Sequence, residues 1–391
     1  MMTATHILAI SAARRIFLSC LFLSGVGICA VGSTLVAGCT PAQSQAETST
    51  PSARQNPEKE NLSKRYQNNP AIEAFISDLV IRHHFEPSAL RALFTQAKYS
   101  AAVVKLEQPP LTESPRDWRT YQSRFLKAER INAGVQFWRT HQATLQRAQQ
   151  EFGVPPEIIV GIIGVETFYG RNMGKHPVLD VLTTLTFDYP TKPNQLKRAA
   201  LFRKNLEDFL LWTRAAGLDP TRILGSYNGA VGIAQFMPSS VIQYAIDYDG
   251  DQKVDLSTSV ADAIGSVANY LRQHGWEAGR PVLWEIASDS GSLDLAQAGA
   301  DGKIEPRRTL GELHKAGLLL NEPLNLEAES NTLVNIIDLP TPQQPTEYKL
   351  GLRNFAVLTH YNRSFFYALS VYQLGQQVKQ RLQMSAGSPL L

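Results

Sequence analysis

A chain of 391 residues, 43% of them hydrophobic, can bury a substantial core, which excludes wholesale disorder. Its 38 Lys and Arg against 35 Asp and Glu give a formal net charge of +3, too small to mark a nucleic-acid or anionic-membrane binder. No nucleic-acid partner is expected, and the three cysteines, Cys20, Cys29 and Cys39, all fall near the start.

From Ile16 to Gly38 no charged residue occurs, directly after Arg14 and Arg15, which is the order of a secretory signal. The run also suffices for an uncleaved anchor, since ~20 apolar residues span a bilayer. Leu35-Val36-Ala37-Gly38-Cys39 resembles the lipobox of bacterial lipoproteins, in which the cysteine is acylated and becomes the mature N-terminus. The resemblance implies a signal peptide over 1–38, membrane attachment through a lipidated Cys39, and a mature chain without disulfides. Thr40 stands where lipoproteins retained in the inner membrane usually carry Asp, so an outer-membrane lipoprotein facing the periplasm is implied. Residues 39–68 are rich in Ser, Thr, Gln, Asn, Pro and Glu, the composition of a disordered tether.

From Ala71 the apolar residues Ile72, Phe75, Ile76, Leu79 and Val80 recur at spacings of three and four, which predicts a helix. Further helical patterns run over 87–96, 125–152, 155–169, 196–215, 260–274 and 364–382. Between them, 281–284, 332–337 and 347–350 read as short strands separated by turn residues. A mainly α (α+β) body is expected, with 69–280 helical, a small β-containing insert over 281–352, and helix returning over 353–391. The helical domain is then discontinuous in sequence.

The segment from Val154 to Arg171 places Glu166 three, four and seven residues after Ile163, Ile162 and Ile159, on one helix face. A carboxylate among apolar neighbours responds by a raised pKa, and an acid protonated at neutral pH is what glycosidic cleavage requires. The competing reading pairs Glu166 with Arg171 or Lys175, or lets it reach solvent at the helix end. Downstream, Gly225 to Ser240 mixes glycines with Asn228 and Gln235, whose amides suit sugar hydroxyls and acetamido groups. Close packing and a turn would produce the same glycines.

Gly164-Val165-Glu166-Thr167-Phe168-Tyr169-Gly170-Arg171 and Gly229-Ala230-Val231-Gly232-Ile233-Ala234-Gln235-Phe236-Met237-Pro238-Ser239 together resemble the membrane-bound lytic murein transglycosylase B family. The likeness continues through Asp262 to Tyr270 and His360-Tyr361-Asn362-Arg363-Ser364. It implies a lysozyme-like helical catalytic core that cleaves the β-1,4 bond between N-acetylmuramic acid and N-acetylglucosamine in peptidoglycan strands. The products would carry 1,6-anhydromuramoyl ends, with Glu166 as acid and then base. By the same resemblance Ser226, Gln235, Tyr121, Tyr270, Tyr361 and Asn362 line the sugar groove, and the enzyme is expected to act as a monomer. After Tyr189-Pro190 the chain has Thr191-Lys192-Pro193 where the family often has a basic pair, so recognition of stem peptides is expected to differ.

Asp247, Asp249, Asp251 and Asp255 occupy positions 1, 3, 5 and 9 of an EF-hand-like loop, with the Lys253 carbonyl at 7, a donor set that suits Ca²⁺. Position 6 is Gln252 instead of Gly and position 12 is Thr258 instead of Glu, so a plain Asx-rich turn fits equally. The resemblance implies a late ligand, Asp262, and a structural ion; no cofactor is needed for the chemistry. Two other functions remain open on sequence. A lysozyme-type hydrolase needs a second carboxylate, for which Asp180, Asp188 and Glu207 are available, and a non-catalytic peptidoglycan-binding lipoprotein needs none.

Overall fold

Proline's fixed φ and missing N–H suit the first turn of a helix, and several helices here begin that way. In a computed structural model of the chain, residues 65–108, 115–191 and 194–386 are described. The signal segment, Cys39, nearly all of the tether, and Lys192-Pro193 lie outside them. Helix α1, Pro70–His83, is capped by the Asn69 side chain, which accepts from the Ala71 N–H, and α2 is Pro87–Gln96. Two short helices follow, α3 Ala101–Glu107 and α4 Trp118–Ser123, capped by Ser100 and Asp117. With six or seven residues each, they leave no periodicity to read.

Where one helical region is predicted over 125–152, there are two helices, α5 Ala128–Thr140 and α6 Gln142–Phe152, broken at His141. Helix α7, Pro156–Thr167, is buried almost all round and stops where Phe168 and Tyr169 take left-handed φ values of 53° and 59°. A two-residue strand β1, His176–Pro177, leads into α8, Val178–Phe187, whose residues are nearly all buried. A helix buried on every side shows no amphipathic stripe, and α8 is absent from the periodicity for that reason. Then come α9 Gln195–Ala215, β2 Leu224–Gly225 antiparallel to β1, α10 Pro238–Tyr244 and α11 Val260–Gln273.

The insert begins with β3, Leu283–Glu285, and continues through α12 Ser290–Gly299, β4 Arg308–Thr309, α13 Leu310–Lys315 and α14 Leu326–Glu329. It ends with β5 Leu333–Leu339 and β6 Glu347–Gly351, and the four strands pair antiparallel in the order β3-β6-β5-β4. Trp284, Ile286, Leu310, Leu313, Val334, Ile336 and Leu350 form a small core of their own beneath this sheet. The three helices of the insert are additions to the strands expected from sequence.

The chain returns through α15 Arg353–Tyr361 to the long α16 Phe365–Ala386, which packs along α7. The approach is backbone to backbone. A Cβ added to Gly161 would stand 2.3 Å from the Val371 carbonyl oxygen, and one added to Gly375 would stand 2.1 Å from that of Glu157. Only glycine permits this. At the start of α7 the Glu157 carboxylate pairs with Lys379 at 2.7 Å. Gly161→Ala is expected to force α7 and α16 apart, lowering stability by roughly 1–3 kcal/mol; an unchanged midpoint in thermal unfolding would contradict this packing.

Candidate active site

Glu166 occupies the last turn of α7, on the face shared with Ile159, Ile162 and Ile163, all three fully buried. Its own side chain is half-buried, at the helix end. The Tyr367 hydroxyl, from the first turn of α16, donates to Glu166 Oε1 at 2.5 Å. Burial pushes the carboxyl up to about 7, against the pull of the Tyr367 hydrogen bond, which favours the ionised form. The pairing with Arg171 or Lys175 is not seen: Arg171 stands over the Phe168 ring at 4.7 Å, and no described cation bridges to Glu166. Thr167 ties this helix end to the glycine loop, donating to the Ile233 carbonyl at 2.9 Å and accepting from the Gly170 N–H at 3.0 Å.

Three tyrosines surround the acid. Tyr270 on α11 and Tyr361 at the end of α15 have ring centroids 4.9 Å apart, and Tyr361 stacks on Tyr367 at 6.4 Å. Burial, with the nearby Glu166 charge, pushes each of the three phenols above its ordinary value. Tyr270 donates to the His360 carbonyl at 2.9 Å and Tyr361 to the Ala234 carbonyl at 2.7 Å. Their hydroxyls therefore fasten α15 to α11 and to the glycine loop, while their rings wall the site. Asn362 follows Tyr361 in extended conformation at the end of α15. Tyr121 is reached through Tyr367's neighbours, its ring 5.6 Å from that of Phe366.

The loop from Gly225 to Phe236 is folded by its own side chains. Buried Ser226 accepts at Oγ from the N–H groups of Asn228 (3.3 Å) and Ala230 (3.1 Å). Gln235, at φ 51°, donates from Nε2 to the carbonyls of Gly232 (2.9 Å) and Met173 (3.1 Å). Phe236 packs against Tyr270 and Tyr361 at 5.5 and 5.9 Å, which brings this loop to the tyrosine wall.

Among the described residues, burial and the Tyr367 hydrogen bond account for the shift of Glu166, with no acid contributing to it. Asp188 pairs with Arg65 at 2.5 Å, Glu207 with Arg82 at 2.8 Å, and Asp180 accepts from the Lys98 N–H at 2.8 Å. Tyr367 escapes the sequence reading because Phe365-Phe366-Tyr367 looks like core at the start of a helix. Its one signal is its place six residues beyond Tyr361.

In the acidic loop, Asp247, Asp249 and Asp251 gather carboxylate oxygens within 4.8 Å of one another. This hard-oxygen set fits Ca²⁺. Asp262 is buried outside that cluster, accepting from the backbone N–H groups of Tyr248 (2.7 Å) and Asp255 (2.8 Å). It reaches the loop as a clamp on its backbone. Lys253 donates its N–H to Asp251 at 2.8 Å, and Gln252 takes the left-handed conformation (φ 69°) at the position where the general motif has glycine. No described helix is long and apolar enough to cross a membrane.

Residues 67–376 match the family model of the transglycosylase SLT domain. Membrane-bound lytic murein transglycosylase B of Escherichia coli (strain K12) is 39% identical over 361 residues, spanning 88% of this chain and 94% of that protein. The crystal structure of the soluble lytic transglycosylase SltB1 from Pseudomonas aeruginosa superposes with a TM-score of 0.72 at 39% identity, covering 80% of this chain and 99% of that one. The Escherichia coli lytic transglycosylase SLT35 in complex with calcium gives a TM-score of 0.72 at 37% identity, with 84% of this chain and 99% of that one covered. The mainly helical, lysozyme-like architecture is thus shared with solved enzymes, and this chain belongs to the SLT-domain lytic transglycosylase family.

Proposed function

We propose that this enzyme cleaves the β-1,4 bond between N-acetylmuramic acid and N-acetylglucosamine in peptidoglycan, leaving 1,6-anhydromuramoyl ends. The observation that carries the reading is the Glu166 carboxyl: half-buried, pushed up to about 7 by burial, bonded to a tyrosine hydroxyl and, among the described residues, without a second acid acting on it. Protonated Glu166 gives its proton to the bridging oxygen as the C1–O bond breaks, releasing the N-acetylglucosamine hydroxyl. Positive charge develops at the muramoyl C1, and the acetamido oxygen of the same sugar stabilises it, so no carboxylate nucleophile is required. Ionised Glu166 then takes the proton of the C6 hydroxyl, whose oxygen closes on C1. No water is consumed and Glu166 ends protonated.

Tyr367 serves both steps, since its donated hydrogen bond orients the carboxyl and stabilises it once ionised. The walls formed by Tyr270, Tyr361 and Phe236 exclude water that would intercept C1. Tyr121, Ser226, Gln235 and Asn362 are assigned to the bound glycan. The hydrolase alternative is weakened because Asp180, Asp188 and Glu207 are engaged elsewhere. A Ca²⁺ ion bound by Asp247, Asp249 and Asp251, with the Lys253 carbonyl, would neutralise the loop's carboxylates, while Asp262 holds the backbone around them. Its role is structural. We assign attachment to the periplasmic face of the outer membrane to lipid on Cys39, in keeping with the membrane-bound relative.

Mass spectrometry of peptidoglycan digests is expected to show anhydro ends; reducing muramic acid in their place would overturn the transglycosylase reading. Glu166→Gln should fold normally and release no product. Because the acid form of Glu166 is lost as pH rises through about 7, turnover should decline above that value. Tyr367→Phe removes a donor to the ionised form, so the remaining activity should decline at a higher pH; an unmoved limb would disconnect Tyr367 from Glu166. Millimolar Ca²⁺ should raise the thermal midpoint of the wild type but not of Asp247→Asn, and Cys39→Ala should move the protein from membrane to soluble fraction.

A further inference from the structure

The described chain begins at Arg65, which pairs with Asp188 at 2.5 Å, and Tyr66 donates to the same carboxylate at 2.9 Å. The entry of the chain into the fold is thereby fixed at the end of α8. One residue further on, Tyr189 donates to Glu107 at the end of α3 at 2.5 Å. Arg198, in the first turn of α9, meets both of them, Tyr189 at 3.1 Å and Glu107 at 3.3 Å. The entry point, α3 and α9 therefore adjoin.

The outer sides of these two helices have a common composition. On α9, Leu196, Lys197, Ala200, Leu201 and Lys204 are spaced to share one face, and all five are exposed. On α3, Ala101, Ala102, Lys105 and Leu106 repeat that spacing and are likewise exposed. Leu196 is 86% exposed, more than any other large apolar side chain described, and Leu106 and Leu201 are about half exposed. Lys204 is held by Asp208, whereas no acid pairs with Lys105 or Lys197 among the described residues. Leucine mixed with lysine on one helix face matches the boundary of a bilayer, where leucine enters the acyl edge and lysine meets anionic headgroups. The net charge of +3 over the whole chain conceals this local concentration.

Position decides what covers the face. Residues 40–64 join Cys39 to Arg65, and a chain of that length and composition spans ~25–30 Å as a coil. A lipid on Cys39 thus keeps the entry point, and the face beside it, within reach of the membrane. Tethering raises the effective concentration of the bilayer at this face, so a weak contact suffices.

We infer that the outer face of α3 and α9, with Leu106, Leu196, Leu201, Lys105 and Lys197, rests on the anionic phospholipid surface to which the chain is tethered. The contact turns a leash into an oriented mount. From its buried side α9 holds the end of the glycine loop, since Asn205 Oδ1 accepts from the Ser239 N–H at 3.2 Å and the Ser239 hydroxyl at 3.0 Å. The sugar groove is then carried at a set height above the membrane. This inference rests on the attachment assigned to Cys39 and is independent of the chemistry at Glu166.

Nitroxide labels on Leu106→Cys, Leu196→Cys and, in the insert, the half-exposed Leu333→Cys test it in the lipid-attached full chain on vesicles of phosphatidylethanolamine and phosphatidylglycerol. Electron paramagnetic resonance should find the first two labels open to membrane-dissolved oxygen and shielded from a water-soluble nickel complex, and the third the reverse. Lys105→Glu with Lys197→Glu, exposed changes whose folding is checked by unchanged turnover of soluble glycan strands, should shift the contact toward water by about tenfold. Vesicles without phosphatidylglycerol should weaken the contact as well. On attached protein, first and second labels as open to water as the third would overturn the contact while leaving the anchor in place. Dipolar broadening at the second label would mark another copy of the chain on this face and overturn it too. Wild-type protein recovered entirely in the soluble fraction would instead overturn the attachment, and the contact with it.

Discussion

The backbones of α7 and α16 touch at Gly161 and Gly375, and that approach sets where the acid and its hydrogen-bond donor meet. Glu166 lies at the end of one helix and Tyr367 at the start of the other, so the 2.5 Å bond between them is a consequence of helix packing. Two helices pressed this closely have no room to slide, because a glycine on each faces a carbonyl oxygen of the other. The Glu157–Lys379 pair holds the opposite end of the same interface. The insert between α11 and α15 interrupts the sequence without interrupting this contact, having its own sheet and its own small core.

Within that frame the protonation of Glu166 is a balance of opposed influences. Burial disfavours the carboxylate, and the partial negative charge at a helix C-terminus acts in the same direction. The Tyr367 hydroxyl opposes both. The outcome, near neutrality, leaves both protonation states populated, as a group that gives a proton and then takes one requires. An arginine or lysine beside Glu166 would have ended this balance by fixing the carboxylate. Arg171, the positive charge nearest in sequence, is instead drawn onto the Phe168 ring.

Much of this was legible in the residues, and the exceptions have physical causes. Long helices with apolar contrast, such as α1, α9, α11 and α16, declare themselves by spacing, and Glu166 stood out as an acid on an isoleucine face. Helices α3 and α4 were too short to show a period, and α8 too uniformly buried to show a stripe. Tyr367 was hidden because a tyrosine after two phenylalanines has the pattern of core, and only the fold reveals that its hydroxyl meets an acid some two hundred positions away. Lipidation of Cys39 falls on residues that the structure does not describe, and it rests on the lipobox pattern.

The acidic loop is coupled to the site through the helix that follows it. Asp262, Ser266 and Tyr270 are spaced four apart on α11 and so share one face of that helix. Asp262 accepts from the Tyr248 N–H at 2.7 Å, Ser266 accepts from the Ile246 N–H at 3.0 Å, and Tyr270 continues the line to the tyrosine wall. Whatever orders residues 246–255 therefore orders the first two members of this row and, through the rigid helix, the third. The carboxylates of Asp247, Asp249 and Asp251 stand at the far end of this line from Tyr270. Asp262, buried in the first turn of α11, joins the two, because its carboxylate is spent entirely on loop backbone.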